Sequence, residues 1–122
     1  MNNPVGWFEI YVQDMERARA FYQSVFAVKL DKLQGTEYEM WSFPVNQGAT
    51  GAPGALIRIP GYPSGANSVI VYFSCGDCGI QAERAVAAGG EIETPKKSIG
   101  PYGHIALVYD TERNLIGLHS LR

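Results

Sequence analysis

Trp7-Phe8-Glu9-Ile10-Tyr11-Val12-Gln13-Asp14-Met15-Glu16-Arg17-Ala18-Arg19-Ala20-Phe21-Tyr22 changes its hydrophobic period at Asp14. Before it, Phe8, Ile10 and Val12 alternate with Trp7, Glu9 and Tyr11, the two-residue period of a half-buried strand. After it, Met15, Ala18, Phe21, Tyr22 and Val25 recur at helical spacing. An Asp at the join can accept from the free N–H groups of the first helical turn and complements the helix dipole. The stretch therefore predicts strand, cap, helix. The strand's second face carries Glu9 between Trp7 and Tyr11, and a carboxylate among aromatics is the first place to look for chemistry.

Working outward, strands are expected around Phe26–Leu30, over Glu37–Phe43 and over Ala55–Ile59, with Gly/Pro-rich loop from Pro44 to Gly54 and from Gly61 to Ser68. The opening theme then returns. Ser68–Ser74 reads as a strand, and Asp77 caps a helix running to Ala88, where Gly89-Gly90 supplies a left-handed stop. A short strand at Ile92 ends near Thr94-Pro95. His104–Tyr109 and Leu115–His119 form a hairpin about Asp110–Asn114. This is one unit, strand–helix–three strands, used twice, with Asp14 matching Asp77, Trp7 matching Ile70 and Glu9 matching Tyr72. The fold class expected is α+β, with two βαβββ modules forming a curved mixed sheet around a concave pocket. Residues 1–122 read as one domain, with module 1 at about 5–60 and module 2 at about 67–120.

Apolar residues make up 46% of the 122-residue chain and charged residues 18%, enough to build a core. With a net charge of −2 and no basic run, no electrostatic footprint for nucleic acid or anionic membrane is present. No apolar run approaches the ~20 residues of a membrane span. Met-Asn-Asn-Pro-Val is no signal peptide, which makes a cytoplasmic location the expectation. Cys75-Gly76-Asp77-Cys78 is a C-x-x-C at a helix start, where a thiol can be activated. The plainer reading is two small apolar side chains flanking a capping Asp.

Two segments resemble the vicinal oxygen chelate superfamily of glyoxalase I, bleomycin resistance proteins and extradiol dioxygenases. Asp14–Tyr22 resembles that family's Asp…Ala-x-x-Phe-Tyr signature. Asp110-Thr111-Glu112-Arg113-Asn114-Leu115-Ile116-Gly117-Leu118 resembles its Asp-Pro-Asp-Gly-Asn-x-Ile-Glu-Leu ending. The resemblance implies the paired-module fold, a homodimer, and a metal held by residues that here would be Trp7, Ile70, Gly117 and a position near Leu56 to Arg58. Those side chains are not donors for a divalent ion. No cofactor is therefore assigned. A divalent metal is kept only as a shifted site on Glu9 and His119, each two residues from a family position and so on the same strand face.

Two functional classes follow. One is a protein that binds a small-molecule ligand in an aromatic pocket of Trp7, Tyr11, Tyr72 and Trp41, with Arg58 and His104 as further contacts. The other is a lyase or isomerase using Glu9 and His119 as an acid–base pair. The sequence names no substrate for either.

Overall fold

The computed structural model describes residues 3–46, 48 and 51–122. Strand β1 (Phe8–Tyr11) leads through Asp14 into α1 (Met15–Phe26), followed by β2 (Asp31–Lys32), β3 (Glu39–Ser42) and β4 (Gly54–Arg58). The second unit repeats the order with β5 (Tyr72–Ser74), α2 (Cys78–Ala87), β6 (Glu91–Ser98), β7 (His104–Tyr109) and β8 (Leu115–Ser120). The two modules form two four-stranded mixed sheets, ordered β1-β4-β3-β2 and β5-β8-β7-β6. The α+β paired-module expectation is met. Among the described residues no helix is long and apolar enough to cross a membrane.

Both helix starts follow the capping logic. The Asp14 carboxylate accepts from the Arg17 N–H, and that of Asp77 accepts from the Gly79 N–H, each at 3.0 Å. The periodic residues of α1, from Met15 to Val25, are all buried. They join Ile10, Val12, Leu56, Val108, Ile116 and Leu118 in one core cluster that also takes Cys78, Ala82 and Ala85 of α2. Each sheet therefore turns one face to the helices.

Two boundaries differ from expectation. The strand before α2 is confined to Tyr72–Ser74, and Val69 lies 72% exposed. Strand β6 does not stop at Pro95 but runs to Ser98, with register shifts between Ile92 and Thr94 and between Thr94 and Lys97. It is the edge of its sheet. A proline there needs no ladder partner on its outer side, and irregular register absorbs the mismatch.

Side-chain direction follows from register. β1 pairs Glu9 with Ala55 and Phe8 with Gly54, while β5 pairs Tyr72 with Gly117 and Phe73 with Leu118. Leu56 and Leu118 point into the core, so Glu9, Ala55, Tyr72 and Gly117 share the opposite side of their sheets. Ala55 thus stands in the first module where Gly117 stands in the second.

Candidate functional site

Strands β1 and β5 are edges of their sheets, and residues of both line one seam. On the helix side the rings of Phe8 and Phe73 meet edge-on with centroids 6.4 Å apart. On the other side the seam opens into a cleft of about 810 Å³, lined by Trp7, Glu9, Val69, Tyr72 and Ser74 and floored by Phe8, Phe43 and Phe73. A smaller cavity of about 180 Å³ lies further along the seam, with Glu9 and Tyr11 in its wall beside Asn67 and Asn114. Both cavities share Glu9.

The Trp7 indole donates to Oε2 of Glu9 at 3.2 Å, and Trp7 remains 42% exposed. Oε1 of Glu9 makes no hydrogen bond among the described residues. The Tyr72 ring, 49% exposed, lies across Gly117; a Cβ at that position would run into it. The absence of a side chain at Gly117 is what lets the ring lie against the strand. Tyr11 stacks on Tyr62, with centroids 5.7 Å apart and planes 12° apart. The side-chain amides of the small cavity are occupied. Asn114 donates to the Tyr11 carbonyl and accepts from Gly65 N–H, and Asn67 bonds on both sides of its amide to Leu115.

The structure thus brings Trp7, Glu9, Tyr11 and Tyr72 to the two seam cavities and sends the other named residues elsewhere. Trp41 pairs with Leu56 and so faces the helices, where the Arg19 guanidinium covers its ring at 3.4 Å. Arg58 pairs with Glu39 on that same side, and its Nε donates to the Gln13 carbonyl at 3.0 Å. Neither lines the cleft. Strand β4 is buried on both faces from Gly54 to Ile57, which erases the alternation that would have phased it. His104 would face the cleft side only if Ile105 and Leu107 faced the helices. Register shows the reverse: Ile105 pairs with His119, and His104 pairs with the buried Ser120. His104 Nδ1 is buried and has no partner among the described residues.

Glu9 and His119 are not brought together. His119 pairs with Ser74, one strand further into the second sheet, and its ring lines neither cavity. Its Nε2 donates to the Tyr102 carbonyl at 2.6 Å; a carbonyl can only accept, which fixes that nitrogen as the protonated one.

A divalent metal does not fit the four positions that the resemblance reserves for its ligands. The equivalence of Ala55 with Gly117 corrects the position expected near Leu56 to Arg58. The places reserved for ligands by the resemblance are then Trp7, Ala55, Ile70 and Gly117. An indole N–H only donates, and the other three offer no side-chain donor atom at all. Among the described residues no group of three or more His, Cys, Asp or Glu could hold an ion. Redox use of the C-x-x-C gains nothing either, since burial and the neighbouring Cys78 push the Cys75 thiol up to about 11. A reactive thiol needs the opposite shift.

One polar cluster was not anticipated from sequence as a site, and it ties the modules together. The Asp110 carboxylate, at the β7–β8 turn, accepts from the Glu112 and Asn114 N–H groups at 2.8 Å each. It also accepts from the Tyr22 hydroxyl of α1 at 2.6 Å. Burial pushes its pKa up, against the pull of those hydrogen bonds. Next to it Glu112 accepts from Arg17 through two bonds, at 2.7 and 3.1 Å, and from the Gln13 and Asp14 N–H groups at 2.9 Å. Burial works against that carboxylate, but the Arg17 and backbone donors overcome it and hold its pKa below the usual range. The signal was in the sequence: Phe21-Tyr22 and Asp110…Asn114 lie within the two segments, Asp14–Tyr22 and Asp110–Leu118, that carried the family resemblance.

Comparison with known proteins gives the same class. Residues 5–118 match the model of the Glyoxalase/Bleomycin resistance protein/Dioxygenase superfamily, and the chain belongs to that family. Among solved structures, a glyoxalase/bleomycin resistance protein/dioxygenase family enzyme from Burkholderia phytofirmans PsJN is similar at 15% identity and TM-score 0.72, covering 96% of this chain and 98% of that one. A glyoxalase-related enzyme from Fulvimarina pelagi gives 18% and 0.73, with coverage of 98% and 88%. Glyoxalase I from Zea mays gives 20% and 0.74, covering 97% of this chain but 46% of that one, so the present chain spans about half its length. At such identities the likeness concerns the fold. Curated proteins yield no match.

Proposed function

We propose that this chain binds a small organic molecule in the seam cleft, with Trp7 and Tyr72 as its aromatic walls. One observation carries the reading. The cleft, of about 810 Å³, has the size of a small-molecule site and combines two half-exposed aromatic rings with a single carboxylate. Exposed rings scattered singly are ordinary, but two rings grouped in one concavity offer a surface for a ligand to cover. The chain has two tryptophans, and Trp41 is held under Arg19 away from the cleft. In a Trp41→Phe background, the remaining indole reports on the cleft alone. Planar aromatic compounds should quench its emission saturably at micromolar to millimolar concentration, and Tyr72→Ala should weaken that binding tenfold or more. If no planar compound saturates the signal, or if Tyr72→Ala leaves it unchanged, this is not the site.

A second reading, a lyase or isomerase of the family, draws support from one group. The Glu9 carboxylate lines the cleft with an oxygen free of hydrogen bonds among the described residues, which is what a general base needs. It would act without His119, whose ring lines neither cavity. Under this reading Glu9→Gln abolishes turnover of a bound compound while leaving its affinity within threefold; equal loss of both would assign Glu9 to binding.

A further inference from the structure

We infer that the cleft selects planar organic cations, and that Glu9 is the residue that selects them. The inference rests on the binding role proposed for this cleft, but on different observations. Among the described residues lining both seam cavities, the single ionisable side chain with a formal charge at neutral pH is Glu9. The residues outside the described set, Met1, Asn2, Gln47, Ala49 and Thr50, carry no ionisable side chain. Basic residues near the lining in sequence are engaged elsewhere: Arg113, next to Asn114, pairs with Glu91 and covers the Tyr109 ring, Arg58 bonds the Gln13 carbonyl on the helix side, and Arg17 is spent on Glu112. The described lining of the two cavities therefore carries one negative side chain and no positive one.

Its surroundings suit a cation in a second way. Trp7 donates its N–H to Glu9 Oε2. That bond fixes the indole while leaving Oε1 available. Tyr72 is laid flat by Gly117 in the same cleft. The faces of both rings carry negative quadrupole potential, which attracts cations, and they offer flat area for stacking. A carboxylate and two aromatic faces in one cleft repel anions and accept a planar cation, such as an aromatic ring bearing a quaternary nitrogen or an amidinium. The polar amides of the small cavity next to Glu9 are already bonded within the protein, so they supply no competing anion site.

The test uses three probes of the same outline: N-methylacridinium as the cation, acridine in its neutral form, and 9-anthracenecarboxylate as the anion. Each is titrated into the whole chain carrying Trp41→Phe, at low salt and again at high salt. The cation should bind at least tenfold more tightly than the neutral ring, the anion should bind more weakly than either, and the cation's advantage should shrink as salt rises. Glu9→Gln keeps an oxygen for the Trp7 N–H and removes only the charge. It should cost the cation fivefold or more in affinity, leave acridine within twofold, and improve the anion. Equal binding of cation and neutral ring, or an equal loss of both in Glu9→Gln, would overturn cation selection while leaving the cleft a binding site. Failure of every probe to bind would overturn the binding reading itself, and cation selection with it.

Discussion

Gly54 in the first module and Gly117 in the second use the same device on opposite faces of their sheets. Each lies in the last strand of its module, paired in parallel with an aromatic residue of the first strand, and each would drive a Cβ into that ring. Gly54 lies under Phe8, whose ring belongs to a cluster with Phe43 and Phe73 at centroid distances of 5.6 and 6.4 Å. Gly117 lies under Tyr72, whose ring faces the cleft. A missing side chain thus seats one aromatic against the core, at the cleft floor, and presents the other to solvent. The modules are alike in plan, and the face that carries the glycine decides whether the position serves stability or the site.

The largest expected effect tests whether the modules are one structure or two leaning together. Asp110 of the second module holds the Tyr22 hydroxyl of the first, along with two backbone N–H groups of its own turn. Asp110→Ala would leave four donors without this acceptor, since the Asn114 side-chain amide also donates to it at 3.1 Å, at roughly 1–3 kcal/mol each before relaxation and water entry. We expect a loss of about 4 kcal/mol in urea unfolding, against about 1 kcal/mol for Tyr22→Phe, which removes one donor and strands none. If Asp110→Ala costs no more than Tyr22→Phe, the turn is not the tie between modules.

The glycine pair gives the next largest effect and the sharpest contrast. Gly54→Ala should displace Phe8 from the ring cluster and cost about 2 kcal/mol, the usual size of overpacking in a core. Gly117→Ala should cost under ~1 kcal/mol, because Tyr72 can swing into the open cleft. It should instead lower the affinity of planar ligands, since the ring would then occupy their space. Circular dichroism melts and ligand titration on both variants decide the matter. A stability loss of equal size in the two, with binding intact in Gly117→Ala, would break the comparison.

That contrast bears on what could be read from the chain. The strand–cap–helix opening was legible because Phe8, Ile10 and Val12 alternate and Met15, Ala18, Phe21, Tyr22 and Val25 do not; two competing periods meet at one capping Asp. Glu9 and Tyr72 were placed on the correct face by the same alternation. Arg58 and Trp41 were not. Gly54–Ile57 is buried on both faces, and Trp41 packs against the core on the helix side with the Arg19 guanidinium over its ring. His104 failed for a related reason: on β7 the cleft side is itself apolar, with Ile105 and Leu107 on it, so hydrophobicity could not say which face was core. The pairing of Glu9 with His119 assumed that a matched shift along two strands keeps residues together. β5 lies between the strands that carry them, and parity says nothing about lateral distance.

The smallest expected effect concerns the ends of the two helices. Helix α1 stops at Ala27, whose backbone is left-handed at φ 52°. Helix α2 ends through Ala88 into Gly89 at φ 100°, with the Gly90 N–H donating back to the Ala85 carbonyl at 2.8 Å. The second module thus uses glycine where the chain must enter positive φ, and the first uses a residue whose Cβ crowds the carbonyl there. That crowding costs roughly 1–2 kcal/mol, partly offset in a substitution by the greater freedom of glycine in the unfolded chain. Ala27→Gly should therefore stabilise the protein by about 0.5–1 kcal/mol, which is a rise of roughly 2–6 °C in melting temperature. Gly89→Ala should act in the opposite direction by about 1 kcal/mol, because the new methyl meets strained backbone and also lies 3.3 Å from the Thr111 methyl. Neither position lines the cleft, so ligand affinity should be unchanged in both. Melting curves in which Ala27→Gly lowers stability would show that contacts of the Ala27 methyl outweigh its backbone strain, and that the first module has adapted to alanine where the second kept glycine.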